Sequence, residues 1–393
     1  MQKKKLAVVT GTRAEYGLLK PVIQKLLTSD KIEPLVLVTG AHLEKAYGET
    51  VSEIEKDEIP IAARIPILKF GQSTLATAET VAYTIQQFSS WFSENQPAAV
   101  LVLGDRYEIF AAAQAAAYTH VPVIHISGGD VTLGAADDWY RHCITKIAHL
   151  HFPSCRDYAN RVIRMGESPD TVFNVGGLGD ENLRTMPKMD AKALSESLGF
   201  DVKRPFGLVT FHPETAGGAD PALQMQALLN AMESISCKTG LRWLITKSNA
   251  DAGGLDINKM IDEWAQAHSE LAAAFTSLGV VRYLSAMRLA ALVAGNSSSG
   301  VVETPTMGVP TLNIGNRQKG RILCQNVLCC PAQQAAIEAA MEKALSPEFA
   351  RLAKQTQSPY NGGNTSEKIV KITEEFLYKP DFGSPKAFYD GEN

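Results

Sequence analysis

The feature that most restricts the fold of this chain is a repeated alternation of short apolar runs with longer segments of helical periodicity. The apolar runs are rich in Val, Ile and Leu, and many of them end in Gly, Ser, Thr or Asp. Such runs are typical of strands buried on both faces of a parallel sheet, and the longer segments are typical of the crossover helices that cover it. The pattern therefore predicts an α/β fold.

The alternation runs through the chain twice, and 393 residues are enough for two domains with substantial cores. The predicted strands lie at 5–9, 34–38, 99–103, 121–126, 151–153, 172–175, 206–211, 242–246, 291–294 and 310–314, with helices at 221–235 and 258–267 among others. We predict two doubly wound, Rossmann-like domains at 1–180 and 181–364. A helix at 365–378, capped by Thr365 or Ser366, and a tail at 379–393 follow them.

Composition excludes several classes of function. With 38 Lys and Arg against 42 Asp and Glu, the chain has no basic excess that would favour a nucleic-acid partner. The apolar run at 6–9 is too short for a signal peptide, and no run approaches the roughly 20 apolar residues that span a bilayer. The cysteines lack metal-ligand spacing. We expect a cytoplasmic protein without a membrane partner or a bound metal.

Two segments have the composition of phosphate-binding loops. The first predicted strand runs into GTRAEYG at 11–17, where backbone amides, a helix N-terminus and Arg13 would attract an anion. In the second half, GNSSSG at 295–300 offers Asn296, Ser297 and Ser298, and Glu303 would accept hydrogen bonds from ribose hydroxyls. The alternatives are an ordinary turn at 11–17, and a Gly/Ser turn with a solvated glutamate at 295–303.

Acidic residues follow neighbouring predicted strands. Asp105 ends one strand beside Arg106, Asp130 follows the next, and Asp137 precedes Arg141 by four residues on a helix. Because the carboxyl ends of parallel strands are neighbours, we expect these carboxylates to converge, which would raise at least one pKa towards acid–base use. The alternatives are that Asp137 or Asp138 only caps the helix and that Asp105 only pairs with its neighbouring arginine.

One histidine completes the candidate set. His212 ends the first strand of the second half, and the proline that follows restricts it to an extended conformation that points the imidazole towards the site. His125 lies within an apolar strand and is interpreted as a buried or supporting residue. His149 and His151 are interpreted as structural.

Seven segments together resemble one enzyme family, the UDP-N-acetylglucosamine 2-epimerases, and most closely its hydrolysing branch that makes N-acetylmannosamine for sialic acid. The resemblance extends from Lys4 to about Leu377. The segments that carry it are GTRAEYG at 11–17, GDR at 104–106, DDWYRH at 137–142, FHP at 211–213, GNSS at 295–298, GNRQKGR at 315–321 and PY at 359–360.

The resemblance implies a GT-B architecture of two Rossmann-like domains, with the active site in the cleft between them and the last helix crossing back to the first domain. It also implies elimination of UDP to a 2-acetamidoglucal, followed by hydration, without a cofactor or metal. It assigns proton transfer to Asp105 and Asp137, orientation to Arg106 and Arg141, and contacts near the phosphates and sugar to His212. By the same resemblance Glu303 binds the ribose, and Arg317 is the arginine that follows the next strand. The expected partner is a UDP-sugar, and we expect a homodimer or homotetramer.

The loop after the predicted strand at 121–126 departs from the family pattern. Many relatives carry glutamate where this chain has Ser127, and again where it has Asp130. Serine is too weak an acid to replace glutamate, so Asp130 is the candidate substitute and Ser127 a candidate contact to the sugar. The alternatives are that Asp137 alone suffices, that Ser127 makes room for a 4-acetamido-6-deoxy sugar such as diacetylbacillosamine, or that Asp130 only braces the loop. A GT-B glycosyltransferase or a nucleotide-sugar sensor would share the phosphate loops.

Overall fold

The computed structural model of the chain describes residues 2–71, 73–133, 136–214, 220–248 and 253–391. Within these residues the chain forms two compact units. The first unit comprises 2–130, 137–181 and 359–391, and the second comprises 131–136 and 182–358. The first unit is therefore built from both ends of the chain.

Each unit contains a parallel sheet, and the strands of the two sheets follow one another along the chain. The strands are β1 Lys4–Thr10, β2 Ile32–Thr39, β3 Ile61–Ile65, β4 Ala99–Leu103, β5 Val123–Ile126, β6 Leu150–Phe152, β7 Phe206–Thr210, β8 Arg242–Thr246, β9 Ala272–Phe275, β10 Leu292–Gly295, β11 Thr311–Ile314 and β12 Val327–Cys330. Among the described residues, the first sheet has the order β3-β2-β1-β4-β5-β6 and the second β12-β11-β10-β7-β8-β9. Both orders are doubly wound, which confirms the predicted α/β fold.

Helices connect the strands. They are α1 Arg13–Leu27, α2 Val51–Lys56, α3 Thr74–Asn95, α4 Tyr107–Tyr118, α5 Asp137–Ile147, α6 Arg156–Arg164, α7 Leu178–Thr185, α8 Ala191–Leu198, α9 Pro221–Thr239, α10 Gly254–Ala267, α11 Gly279–Leu289, α12 Ser299–Val302, α13 Thr304–Met307, α14 Gln334–Ala344, α15 Pro347–Lys354 and α16 Thr365–Leu377. Short 3₁₀ turns lie at Gly40–Leu43, Lys45–Tyr47 and Pro169–Thr171. None of the helices in the described ranges combines the length and apolar character that crossing a membrane requires.

The period of two along a strand explains why each sheet is covered on both faces. In β1, Leu6 and Val8 pack into one buried cluster with residues of α1 and α16. The alternate residues Ala7 and Val9 pack into a second cluster with α3 and α4. The second sheet is covered in the same way, by α9, α10 and α14 on one face and by α8 and α11 on the other.

The last helix is part of the first unit, and a buried carboxylate holds its first turn. Glu181 accepts hydrogen bonds from the Ser366 backbone N–H (2.6 Å) and hydroxyl (2.7 Å). Thr365 instead donates its hydroxyl to the backbone oxygen of Val175 at 2.9 Å. The prediction that Thr365 or Ser366 caps this helix was therefore wrong, because the residue before the helix is Asn364 and Glu181 accepts from the first turn.

The sheet edges differ most from the sequence prediction. The predicted strand at 172–175 is reduced to a single bridge between Val172 and His151. Three edge strands, β3, β9 and β12, were not predicted. They are only partly buried, and β3 and β9 are rich in alanine while β12 contains two cysteines, so they lack the Val, Ile and Leu run of a central strand.

A buried carboxylate, Glu167, anchors the C-terminal tail to the first unit. Its oxygens accept hydrogen bonds from Lys146 Nζ (2.5 Å), Lys386 Nζ (2.6 Å) and the His151 ring (3.1 Å), and its side chain is only 2% exposed. Burial acts to raise the pKa of Glu167, but the hydrogen bonds from His151, Lys146 and Lys386 outweigh it and lower the pKa to about 2. The carboxylate is therefore ionised in the folded protein at neutral pH.

Glu167→Gln should lower the free energy of unfolding by about 2–4 kcal/mol at pH 7, because it leaves two ammonium groups beside a buried neutral amide. Since the pKa is depressed on folding, the stabilisation is complete above an ordinary carboxyl pKa of 4.5 and is lost as the pH falls towards 2. Denaturant titrations of both proteins between pH 7 and pH 3 should show a difference in stability that is constant near neutral pH and shrinks as the pH falls below 4.5. Glu348→Gln, at an exposed pair with Arg351, is the control and should change stability little.

Candidate functional site

The sheet orders place two candidate sites, one in each unit. In the first sheet the strand order reverses between β1 and β4, and in the second it reverses between β7 and β10. Ligands of open α/β sheets bind beyond the carboxyl ends of the strands at such switch points. The segments that leave these four strands begin at Gly11, Gly104, Phe211 and Asn296. They carry most of the residues that the sequence singled out.

In the first unit, Arg141 organises the acidic cluster. Its side chain is 1% exposed, and its Nε donates to Asp105 Oδ2 at 2.8 Å while its Nη2 donates to the same oxygen. Its Nη1 donates to the Asp130 backbone oxygen at 2.9 Å and to Asp138 Oδ1 at 3.4 Å. Burial acts to lower the pKa of Arg141, but these three aspartates outweigh it and raise the pKa above its ordinary value. One guanidinium thus joins the β4 exit, the β5 exit and α5.

His125 stabilises the end of β4, the strand that leads to Asp105. Its Nε2 lies 2.8 Å from the Gly104 backbone oxygen and its Nδ1 lies 3.2 Å from the Thr145 hydroxyl. A carbonyl oxygen can only accept, so Nε2 carries the proton and Nδ1 accepts from Thr145. Burial lowers the pKa of His125 to about 3, which keeps the imidazole neutral. The interpretation of His125 as a buried supporting residue agrees with this geometry.

The loop after β5 has a constrained backbone. Ser127 has a φ of +65°, in the left-handed region that few side chains favour, and its N–H donates to the Phe152 backbone oxygen at 3.0 Å. Arg161 donates to the Gly129 backbone oxygen, and Asp130 is 5% exposed. The side chains of Ser127 and Asp130 are therefore presented by a loop that its neighbours hold in place.

The loop after β1 enters α1 through a capping box. Thr12 Oγ1 accepts from the Glu15 N–H at 3.4 Å, and Glu15 Oε2 accepts from the N–H groups of Gly11 (2.8 Å) and Thr12 (3.2 Å). Arg13 is the first residue of α1 and is half-buried. His42 lies beside this loop, with its Nε2 3.1 Å from Thr10 Oγ1. The loop is therefore fixed from its first residue to the helix.

Arg106 leaves the β4 exit towards a second buried acid. Its Nε donates to Glu108 Oε1 at 2.6 Å, and the side chain of Glu108 is 2% exposed. A Cβ atom on Gly11 would lie 3.0 Å from Glu108 Cγ, so glycine is the residue that lets the β1 loop lie against this carboxyl. The sequence analysis did not single out Glu15 or Glu108, although Glu108 follows Arg106 by only two residues.

In the second unit, His212 and Asn296 lock two strand ends together. The His212 N–H donates to Asn296 Oδ1 at 2.7 Å, and Asn296 Nδ2 donates to the His212 backbone oxygen at 2.8 Å. The His212 ring places its Nδ1 3.2 Å from the Ser248 hydroxyl. Both residues are buried, so Asn296 fixes the backbone of His212 rather than presenting its amide to solvent.

The serine loop between β10 and α12 is shaped by a glycine. Gly295 has a φ of +132°, and a side chain there would overlap the backbone of Thr210. Ser297 and Ser298 follow and are half-buried, and Glu303 lies between α12 and α13. Thr210 and Glu303 also border Tyr283, whose pKa is raised by burial above all and by the Glu303 charge.

Two further side chains hold the segment after β11. Arg317 Nη1 donates to the Asn296 backbone oxygen at 3.3 Å, and Gln318 Nε2 donates to the same oxygen at 2.8 Å. Glu214 Oε1 accepts from the Asn316 N–H at 2.7 Å. Gln318 and Glu214 were missed as site residues, because a glutamine and a glutamate in loops carry no spacing signal.

The structure brings some of the predicted acidic residues to one guanidinium. Arg141 gathers Asp105, the Asp130 backbone and Asp138, whereas Asp137 begins α5 and acts on the nearby Tyr140. Among the described residues, no group of three His, Cys, Asp or Glu side chains is arranged to hold a metal ion.

Comparison with known proteins gives consistent matches over most of the chain. The family model described as UDP-N-acetylglucosamine 2-epimerase matches residues 24–374. A GDP/UDP-N,N'-diacetylbacillosamine 2-epimerase (hydrolyzing) of Campylobacter jejuni is 36% identical, with 89% of each chain covered. Polysialic acid biosynthesis protein P7 of Escherichia coli is 35% identical, with 98% of this chain and 97% of that protein covered.

Solved structures share the fold. The structure of a UDP-GlcNAc 2-epimerase from Neisseria meningitidis bound to UDP-GlcNAc has a TM-score of 0.80 at 20% identity, covering 94% of this chain and all of that one. A structure from Listeria monocytogenes matches with a TM-score of 0.79, also at 20% identity, over 99% of this chain and all of that one. At this level of identity the likeness concerns the fold.

Asp105→Asn should lower the free energy of unfolding by about 2–4 kcal/mol, because it removes the charge that compensates the buried Arg141 guanidinium. The matched control is Asp138→Asn, which alters a longer 3.4 Å contact of the same guanidinium and a 3.8 Å contact with His142, and should cost less than about 1 kcal/mol. Denaturant titration at pH 7 measures both. Equal effects of the two variants would contradict the central place given to the contact between Asp105 and Arg141.

Proposed function

This chain belongs to the UDP-N-acetylglucosamine 2-epimerase family, and we propose that it converts UDP-GlcNAc and water into N-acetylmannosamine and UDP. The observation that carries this proposal is the acidic cluster around Arg141 at the first switch point, since it supplies carboxylates for proton transfer. The second switch point supplies a serine loop of the kind that binds a diphosphate.

The proposed reaction has two steps, an elimination and a hydration. In the first, a carboxylate removes the C2 proton while the C1–O bond breaks, and UDP departs with the bonding electrons to leave a 2-acetamidoglucal. In the second, a water oxygen bonds to C1 and gives up one proton to a carboxylate, while a carboxyl group donates a proton to C2 from the opposite face. The C2 proton is barely acidic, so stabilisation of the departing diphosphate must supply much of the rate.

The first unit is proposed to provide the proton transfers. Asp105 and Asp137 are the proposed proton-transfer groups, and Asp130 is the proposed substitute for the glutamate that Ser127 replaces. Arg141 fixes Asp105 through two donors to one oxygen, which supports a role in orienting that carboxylate. Arg106 and Arg13 are proposed to face the sugar and the phosphates, respectively.

The second unit is proposed to hold the nucleotide. Ser297 and Ser298 would bind phosphate oxygens and Glu303 the ribose hydroxyls. Arg317 is proposed as a further contact, although it already donates to the Asn296 backbone. His212 is proposed to act near the phosphates, and its reciprocal bonds with Asn296 support a fixed position for it. Asn296 itself is proposed to shape the loop.

A second candidate substrate is a UDP-linked 2,4-diacetamido-6-deoxy sugar. The observation that favours it is that two relatives, from Campylobacter jejuni (36% identical) and Legionella pneumophila (31% identical), are named as diacetylbacillosamine 2-epimerases. The sialic acid branch is favoured by the polysialic acid protein of Escherichia coli. A cytoplasmic location and a homodimer or homotetramer stay predictions.

The elimination mechanism predicts a specific isotope pattern. With UDP-GlcNAc in D2O and no acceptor present, free UDP should form, and the released N-acetylmannosamine should carry deuterium at C2. In ¹⁸O-labelled water the label should appear at C1. NMR and mass spectrometry of the product measure both. A product that keeps its original C2 hydrogen would reject elimination, and UDP release that needs an acceptor would indicate a glycosyltransferase.

The proposed roles of Asp130 and Ser127 predict how substitutions at these positions change turnover. Asp130→Asn should lower turnover at least about 10²-fold on the preferred sugar, because it removes the proposed proton acceptor. If the proton-acceptor role has only moved from position 127 to Asp130, adding Ser127→Glu to Asp130→Asn should restore part of the lost turnover. The positive φ of residue 127 strains this glutamate but does not prevent the effect.

Steady-state assays on both UDP-sugars measure these effects, and Ser127→Gln controls for the size of the new side chain. Near-normal turnover in Asp130→Asn would reject Asp130 as the substitute base. Loss of activity in Ser127→Glu on the 4-acetamido sugar alone would assign Ser127 to substrate selection.

A further inference from the structure

Two carboxyl groups lie buried side by side against the β1 loop, outside the acidic cluster around Arg141. Glu15 is 6% exposed and Glu108 is 1% exposed. A Cβ atom on Gly11 would lie 3.1 Å from Glu108 Oε1 and 3.4 Å from Glu15 Oε2, so both carboxyls touch the same glycine. One comes from the first turn of α1 and the other from the first turn of α4.

Hydrogen bonds account for only half of their oxygens. Glu15 Oε2 accepts from the Gly11 and Thr12 N–H groups, and Glu108 Oε1 accepts from Arg106. Glu15 Oε1 and Glu108 Oε2 are buried and receive no hydrogen bond from the described residues. Two adjacent buried carboxylates repel each other, and a proton on one of them removes that repulsion and supplies a donor.

The charged groups around Glu15 and Glu108 do not balance two ionised carboxyls. Arg106 from the start of α4 acts on both carboxyls. From the 3₁₀ turn after β2, His42 is neutral because burial above all lowers its pKa to about 4. The charge of Arg13 also lowers the pKa of His42. On α5, burial above all raises the pKa of Tyr140, and the charges of Asp137 and Glu108 raise it further. One guanidinium beside two carboxyls favours retention of a single proton.

We propose that Glu15 keeps a proton at neutral pH beside Glu108, and that this proton keeps the β1 loop able to bind the diphosphate of the substrate. This inference rests on the proposed function for its ligand. An added negative charge on Glu15 under the loop would repel a diphosphate that the Gly11–Arg13 amides and guanidinium attract. The two glutamates are thus positioning residues, because they act through Arg106 and the loop and do not touch the substrate.

The electrostatics agree with this arrangement. Burial, followed by the Glu108 charge, raises the pKa of Glu15 to about 8, whereas Arg106 and the two loop N–H groups act to lower it. A bound diphosphate adds negative charge and raises the pKa of Glu15 further. Nucleotide binding therefore takes up a proton near pH 8, and UDP affinity falls as the pH rises through this range.

The test compares the wild-type protein with Glu15→Gln, which mimics the protonated acid and keeps an oxygen for the loop N–H groups. Calorimetry with UDP should show wild-type affinity about 3- to 10-fold weaker at pH 9 than at pH 7.5, with proton uptake when buffers of different ionisation enthalpy are compared. Glu15→Gln should remove this pH dependence. Glu55→Gln, an exposed carboxyl paired with Arg64, is the matched control and should retain it.

Infrared difference spectroscopy reads the proton independently of any ligand. The wild-type protein at pH 7 should show the carbonyl band of a buried protonated carboxyl, which disappears above pH 9 and is missing in Glu15→Gln and retained in Glu55→Gln. Absence of that band in the wild type would overturn the proton on Glu15. A band with pH-independent UDP affinity would overturn its link to binding. No UDP binding at any pH would instead overturn the proposed function, and the band alone would then decide whether Glu15 keeps its proton.

Discussion

The buried guanidinium of Arg141 is the contact on which the first candidate site depends. It is almost fully shielded from water, and it bonds the Asp105 side chain, the Asp130 backbone and Asp138. A buried cation is tolerated only when its donors find partners, so the three segments that supply those partners must keep their positions. The acidic cluster and the folded state thereby stabilise each other. His125 also stabilises this strand end, because its ring donates to the backbone oxygen of Gly104, the residue before Asp105.

The central part of the fold could be predicted from the sequence, because central parallel strands are apolar on both faces and stand out as continuous runs. β1, β4, β7 and β10 are of this kind. The edges could not be predicted in the same way. β12 contains Cys329 and Cys330 and is only partly buried, and its identity as a strand comes from pairing with β11. The segment at 172–175 has the composition of a strand but finds only a single bridge to His151. Pairing is a tertiary property that composition does not carry.

The candidate site shows a similar division. Loops that follow apolar strands can be located from sequence, since Gly and Ser mark where a strand ends and a helix begins. This reasoning predicted Asp105, Ser297 and His212 as site residues. It missed Glu15 and Glu108, because a glutamate in the first turn of a helix is ordinary as a capping residue. Their proximity arises because the first turns of α1 and α4, which follow neighbouring strands, both lie beside Gly11, and no spacing within either segment records this.

The discontinuous first unit has a consequence for the order in which the protein is made. Lys4 donates to the Leu377 backbone oxygen, a contact between residues 373 positions apart, and α16 covers one face of the first sheet. A ribosome releases the chain from its N-terminus, so the whole second unit emerges before α16 exists. Until then one face of β1, with Leu6 and Val8, lacks its last covering helix. The nascent first half therefore exposes apolar surface for as long as the ribosome needs to synthesise the second unit. Chaperones that bind hydrophobic segments would recognise such a surface.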